Sequence, residues 1–194
     1  MDERRTPEEY EATISQLKEE ILKLKEEVNK YKFLAEHDML TGLYVHTSAR
    51  YLIEEKIKDQ PGRKFGFAVI DLDEFKKIND TYGHLFGDSV LMHVAGEIFK
   101  VTEEGDVAAR IGGDEFLIFF SGADLQEKEK SVIGIMDQLS RPYGQTQIKA
   151  SMGISRYPED GENYRQLFLG ADKALYRAKR SEKEKYCFYD GSMK

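Results

Sequence analysis

The chain has 194 residues, 40% of them hydrophobic and 34% charged, with four prolines, one cysteine and a net charge of −7. That length suits one ordinary domain plus an appendage, and the composition is that of a folded, helix-rich chain. The acidic balance excludes broad, sequence-independent nucleic-acid binding, which needs a basic surface, but not a local anionic ligand held through cations. The lone Cys187 cannot close an internal disulfide, which fits a reducing cytosol; among Tyr186, Phe188 and Tyr189 it reads as a packed core thiol. No apolar run reaches the roughly 18 residues of a membrane span, and Met1–Arg5 begin no signal peptide, so a cytoplasmic location without a membrane segment is expected.

Residues 1–36 differ in kind from residues 37–194 and form a separate segment. Thr6-Pro7-Glu8-Glu9 is a helix start, with Thr6 as cap, Pro7 at the first helical position and Glu9 completing a capping box. Apolar residues then alternate at spacings of four and three: Ile14, Ile21, Val28 and Ala35 occupy heptad position a, and Tyr10, Leu17, Leu24 and Tyr31 occupy d. β-Branched residues at a with leucine at d favour a parallel two-stranded coiled coil, and Glu20 and Glu27 at g can meet Lys25 and Lys32 at e of a partner. The pattern predicts a homodimer through a stalk about 40 Å long, against the plainer alternative of an amphipathic helix folded back on its own domain.

In the second segment FGFAVID (65–71) is a nearly unbroken apolar strand, expected to be central. A helix follows over 86–100, then a hairpin over 107–120, whose Gly112 and Gly113 suit the positive φ of a tight turn. A helix at 124–140, a strand in 147–155, a helix at 163–180 and an edge strand at 186–190 complete the series. The order β-α-β-β-α-β predicts an α+β, ferredoxin-like central antiparallel sheet with flanking helices. In that topology the first strand lies antiparallel beside the third, so Asp71 and Asp73 meet Asp114 and Glu115 at one sheet end.

Acids at a turn are commonly just solvated, but four carboxylates this close repel one another unless a cation intervenes. Hard oxygen ligands suit Mg²⁺ or Mn²⁺, and no His or Cys pair has zinc spacing. The strand-to-helix turn Asp73–Lys76, which includes Phe75 and Lys76, offers backbone N–H groups to a triphosphate. Asn79 and Asp88 can converge on a guanine, a carboxylate matching its N1–H and N2–H₂ donors, although a helix cap and a helix charge explain them equally well. His84 has no readable role.

These stretches resemble one family, the GGDEF domain of bacterial diguanylate cyclases, over residues 37–190. DMLTGL (38–43), DLDEFKKINDTYGHLFGD (71–88), RIGGDEF (110–116), SMGIS (151–155), RYPEDG (156–161) and ADKALYRAK (171–179) occur in the family's order. The resemblance implies a nucleotide-cyclase-like fold and the condensation of two GTP to cyclic di-GMP with release of two pyrophosphates. It implies that Asp71, the Leu72 carbonyl and Asp114 hold two Mg²⁺ (or Mn²⁺) ions per active site, with Asp114 as base and Glu115 assisting. Asn79 and Asp88 would read guanine, and Lys179 and Lys183 would grip the terminal phosphates. One GTP per domain requires two domains to face each other, which gives the stalk a purpose; an upstream sensor would supply the signal, and none is visible.

Three positions depart from the family pattern. Glu103 stands where the product-site RxxD element has its arginine, beside Asp106, so weak product inhibition is expected. Val45-His46 replaces Asn-Arg after LTGL, and Lys183 between Glu182 and Glu184 replaces a phosphate-gripping arginine, losing the bidentate fork. The competing readings are a non-catalytic GTP- or cyclic-dinucleotide-binding regulatory module and a cyclase of mixed base choice. The intact Asp71, Asp114 and Glu115 speak against the first, and Asp88 against the second.

Overall fold

The computed structural model describes residues 6–122, 124–181 and 185–193. Backbone contacts divide the chain into two compact units, Met1–His37 and Asp38–Lys194. The first holds helix α1 (Pro7–Glu36), 30 residues, or about 45 Å at the α-helical rise. Pro7 opens it as expected, and the Thr6 carbonyl accepts the Tyr10 N–H at 3.1 Å; the Glu9 side chain lies outside those described. Every apolar heptad residue from Tyr10 to Tyr31 is at least 50% exposed.

The second unit runs β1 (Tyr44–Val45), α2 (His46–Asp59), β2 (Phe65–Leu72), α3 (Phe75–Tyr82), α4 (His84–Val101), β3 (Val107–Arg110) and β4 (Glu115–Phe120). It continues with α5 (Leu125–Leu139), β5 (Pro142–Tyr143), β6 (Thr146–Gln147), β7 (Ala150–Tyr157), α6 (Tyr164–Arg180) and β8 (Tyr186–Phe188). Six strands form one sheet in the order β1-β3-β4-β2-β7-β8. The inner four pair antiparallel in the expected ferredoxin-like arrangement. The edge strands β1 and β8 pair parallel, so the sheet is mixed rather than wholly antiparallel. Parallel pairing at these edges follows from connectivity: a helix intervenes between β7 and β8, and a crossover returns the chain in the same direction.

Strand β2 is apolar up to Asp71 because both faces of the sheet are covered. Ala68, Ile70 and Leu72 point to the core beneath α4 and α5, with Val90, Val94, Ile98, Val132 and Ile135. Phe65, Phe67 and Val69 point to the opposite core, with Ala49 and Ile53 of α2 and Leu167, Ala171 and Leu175 of α6. Close approach on that face depends on Gly153 of β7, where a Cβ would strike the Ala171 carbonyl and the Leu175 amide of α6.

Several elements differ from expectation. Helix α2 and the β5–β6 hairpin were not foreseen, since α2 buries only Ala49 and Ile53 and carries little apolar periodicity. The hairpin takes up residues 142–147, so β7 begins at Ala150 rather than 147. Cys187 is a correction: it lies partly exposed on β8, the last strand in the order of the sheet, and is no core thiol. Among the described residues no helix is long and apolar enough to cross a membrane.

The loop before β3 is anchored by a buried ammonium. Lys128 of α5 lies 2.9 Å from Asp106 Oδ2 and 2.9 Å from Glu103 Oε1. Asp106 also accepts the Ser121 N–H at 3.2 Å and the Glu103 N–H at 2.9 Å. Burial works against the Lys128 charge, but the Glu103 and Asp106 carboxylates outweigh it and hold the ammonium above its ordinary range. Since the side chains of Lys128 and Asp106 are only 6% and 2% exposed, removing one strands the other. Lys128→Met is expected to cost about 3 kcal/mol in urea unfolding, and adding Asp106→Leu should recover most of it.

Candidate active site

The site is built on the C-terminal end of β2. Its antiparallel register sets Asp71 opposite Glu115 of β4 on one side and opposite Ser151 of β7 on the other. One residue on, the Leu72 N–H bonds the Asp114 carbonyl at 3.1 Å. Acids from two separate motifs thus meet at one sheet end, as the topology predicts. The Leu72 side chain is buried on the opposite face, leaving only its backbone toward this end.

The turn that presents Asp114 is not the tight hairpin expected. Neither Gly112 nor Gly113 has a positive φ, and residues 111–114 form a wider loop closed by the Ile111 N–H on the Glu115 carbonyl at 2.9 Å. A Cβ on Gly112 would meet the Glu115 carboxylate at 2.5 Å, so any side chain there would displace that carboxylate. Arg110 pins the loop: its Nη2 donates to the Gly113 carbonyl at 2.7 Å, and its Nη1 approaches Asp38 Oδ2 at 3.3 Å. Asp38 in turn accepts from the Thr41 hydroxyl at 2.7 Å and the Thr41 N–H at 2.9 Å. Burial opposes ionisation of Asp38, but the Thr41 hydrogen bonds and the Arg110 charge hold its carboxyl below the ordinary value.

From the other face, α6 delivers Lys179, whose Nζ lies 2.7 Å from Asp71 Oδ1. Asp73 is held by the Ser151 hydroxyl at 3.0 Å. The remaining acids stay frustrated. Burial, then the charge of Asp71, pushes up the carboxyls of Asp114 and Glu115, and burial raises Asp73 against the pull of Ser151 and Lys179. After Asp73 the chain turns sharply at Glu74, whose φ of 55° is the left-handed conformation that bulky residues rarely adopt. Helix α3 starts immediately, so the amides of Phe75 and Lys76 have no intrahelical acceptor.

A cleft of about 800 Å³ opens here, lined by Asp71, Leu72, Asp73, Phe75, Lys76, Asp114 and Lys179 among the residues picked from sequence. Phe75 contributes backbone, since its side chain is buried in the core. Glu115 faces a smaller hollow of about 270 Å³ that shares Asp71 and Lys179 and adds Asp172 and Tyr176. Asn79 and Asp88 do not line the main cleft. Asn79 packs on Gly87, where any Cβ would collide with its Oδ1, and Asp88 follows on α4, so the two sit across the α3–α4 contact. Gly83, at φ 86°, makes the bend between those helices. Lys183 lies outside the described residues.

Lys149, Ser151 and Lys185 also line the cleft and were missed as site residues. Ser151 stood in a motif already singled out, whereas isolated lysines carry no pattern. Among the described residues no three carboxylate, imidazole or thiol side chains already converge on a metal-sized point. The donor chemistry nonetheless fits a divalent cation, because hard oxygens crowd the sheet end, and burial followed by the charge of Asp71 makes Asp114 and Glu115 resist ionisation.

The raised carboxyls make the metal-free fold sensitive to pH. Asp73, Asp114 and Glu115 hold protons more tightly folded than unfolded, so stability falls as pH rises from about 4, the ordinary carboxylate value, through their raised folded values. In chelator at neutral pH, Asp114→Asn should therefore melt about 1–3 °C above the native chain, and the gain should vanish near pH 4. Thermal melts at both pH values check this; an equal gain at each would mean packing rather than charge.

The chain matches the family model described as "Diguanylate cyclase, GGDEF domain" over residues 35–185. It is 36% identical over 168 residues to the bifunctional diguanylate cyclase/cyclic di-GMP phosphodiesterase MucR of Pseudomonas aeruginosa, covering 82% of this chain and 24% of MucR. It is 34% identical over 168 residues to the cyclic di-GMP phosphodiesterase PdeR of Escherichia coli, covering 84% of this chain and 25% of PdeR. The chain thus spans about a quarter of the length of these curated relatives. Among solved structures, the coiled coil and GGDEF domain of DgcB from Caulobacter crescentus, in complex with c-di-GMP, superposes with a TM-score of 0.79 at 26% identity, covering 92% of this chain and 98% of that one. Motif order, sheet topology and a match over most of its length agree: the chain belongs to the GGDEF-domain family of diguanylate cyclases.

Proposed function

We propose that the chain is a diguanylate cyclase that joins two GTP into cyclic di-GMP, with residues 37–194 as the catalytic domain and residues 1–36 as its dimeriser. The observation that carries this reading is the register of β2, which gathers Asp71, Asp114 and Glu115 beside a cleft bordered by unpaired helix-start amides. Asp71, the Leu72 carbonyl and Asp114 are the groups that would hold divalent cations, Mg²⁺ or Mn²⁺. When bound, such cations supply the positive charge that phosphoryl transfer requires and ease loss of a hydroxyl proton.

The chain's own residues then have defined tasks. The amides of Phe75 and Lys76 orient phosphate oxygens. Asp114 accepts the 3′-hydroxyl proton of the facing GTP. The freed 3′-oxygen bonds the α-phosphorus, the bond to the β-phosphate oxygen breaks, and pyrophosphate leaves. The same exchange in the opposite direction closes the ring. Asn79 and Asp88, adjoining across α3 and α4, receive the guanine.

A second reading, a regulatory module that binds GTP or cyclic dinucleotide without catalysis, is favoured by the match to PdeR, which is named a phosphodiesterase. The retained acids weigh toward the enzyme. Incubation with GTP and Mg²⁺ followed by nucleotide chromatography should yield cyclic di-GMP from the native chain and none from Asp114→Ala; substrate binding without product would establish the module. Added cyclic di-GMP should inhibit weakly in the same assay. The Asp106 carboxylate is already committed to Lys128 and Ser121, and Glu103 places negative charge where phosphates would come.

The dimer rests on α1. A continuous stripe from Tyr10 to Tyr31 left at least half exposed costs hydrophobic free energy that a second copy of the helix would recover. Deleting residues 1–35 should lower specific activity steeply at low enzyme concentration, the deficit shrinking as concentration rises. Activity that is unchanged at every concentration would remove the dimeriser role.

A further inference from the structure

We infer that Tyr143, on the β5–β6 hairpin, is a positioning residue for base choice: it fixes the turn of α4 that carries Asp88 and so sets how strictly guanine is selected. This rests on the cyclase reading, in which Asn79 and Asp88 receive the base. The hairpin forms a two-stranded sheet of its own, apart from the six-stranded one. It packs instead on the helices that flank the Gly83 bend. The Tyr143 hydroxyl donates at 3.2 Å to the carbonyl of Ser89, the residue after Asp88, and its ring stacks on His93 with centroids 4.5 Å apart. Ser89 and His93 stand four residues apart on α4, the spacing that a helical hydrogen bond joins, so Tyr143 grips both ends of one turn.

Before Asp88, the Phe86 ring has Tyr82 of α3 at 5.0 Å and Tyr143 at 6.0 Å. Gly144, at φ 58°, brings the hairpin tip onto the same ring, where a Cβ would lie 3.3 Å from Phe86. The Tyr82 hydroxyl reaches toward the Gln145 carbonyl at 3.4 Å. The hairpin thus ties α3, which carries Asn79, to α4, which carries Asp88. An aromatic residue on a hairpin is ordinarily a plug over the core, and Tyr143 does pack against the core beneath α4 and α5. A plug needs no hydroxyl, however, and this one is directed to the backbone beside Asp88, with Phe86, Ser89 and His93 bracketing that acid. A carboxylate meets the N1–H and N2–H₂ of guanine through two hydrogen bonds that tolerate only about half an ångström of drift. Asn79 is seated against Gly87, so a shift of α4 would disturb both base-reading groups.

The test uses the full chain in Mg²⁺ and measures by calorimetry the binding of the α,β-methylene analogues of GTP and ITP, which cannot release pyrophosphate; inosine lacks the 2-amino group of guanine. The native chain should prefer the guanine analogue about tenfold, and Asp88→Ala should erase the preference. Tyr143→Phe, which keeps the ring and its packing, should cut the preference about threefold while leaving the inosine analogue within about twofold of native. On the Asp88→Ala background it should change nothing, which separates action through Asp88 from general loosening. A native preference retained in Tyr143→Phe but lost in Asp88→Ala would overturn the positioning role and leave the guanine assignment intact, as would an equal loss for both analogues. A preference that is absent, or that survives Asp88→Ala, would remove the guanine assignment and the inference with it. The expected ratios from a chain that makes no cyclic dinucleotide out of GTP would sink the cyclase reading and leave the role of Tyr143 standing.

Discussion

The register of β2 is the constraint on which the rest depends. Side chains alternate along a strand, so a slip of one residue would turn Phe65, Phe67 and Val69 into the wrong core and throw Asp71 to the opposite face. Two fully buried faces forbid that slip. β2 pairs through Asp71 with Glu115 on one side and with Ser151 on the other, so the hydrophobic cores fix the geometry of the polar site. Burial energy here does not merely stabilise the domain; it sets which carboxylates share a sheet end.

What is gathered there is electrostatically unfavourable. Lys179 answers Asp71, Ser151 steadies Asp73, and Asp114 and Glu115 are left with carboxyls pushed up by burial and by their neighbour's charge. Glu74 adds a left-handed turn without the excuse of glycine. Strain of this kind persists when the surroundings over-determine it, and it concentrates where chemistry is done. The same few residues that weaken the metal-free fold are those suited to charged ligands.

Much of this was legible in the sequence because it followed from period and order. Unbroken apolarity in FGFAVID marks a strand covered on both faces, and the β-α-β-β-α-β series forces Asp71 toward Asp114. The heptad from Tyr10 to Tyr31 could be read residue by residue. What escaped reading depends on space rather than pattern. Nothing local says that Gly112 lies against the Glu115 carboxylate, or that Asp38 and Arg110, 72 positions apart, lock the same loop. Helix α2 offered too few buried residues to betray itself, and Lys149 and Lys185 become neighbours of the acids only after β7 and β8 have paired.

Gly153 has a mechanical consequence. With no side chain between them, the backbones of β7 and α6 touch at Ala171 and Leu175, about two turns and one turn before Lys179. A helix resting on cushioning side chains can roll by a fraction of an ångström at little cost; one seated backbone on backbone has no such slack. The ammonium at Asp71 is thus carried on a stiff lever, and a torque on α6 would be passed on to the charge balance of the acids undiminished.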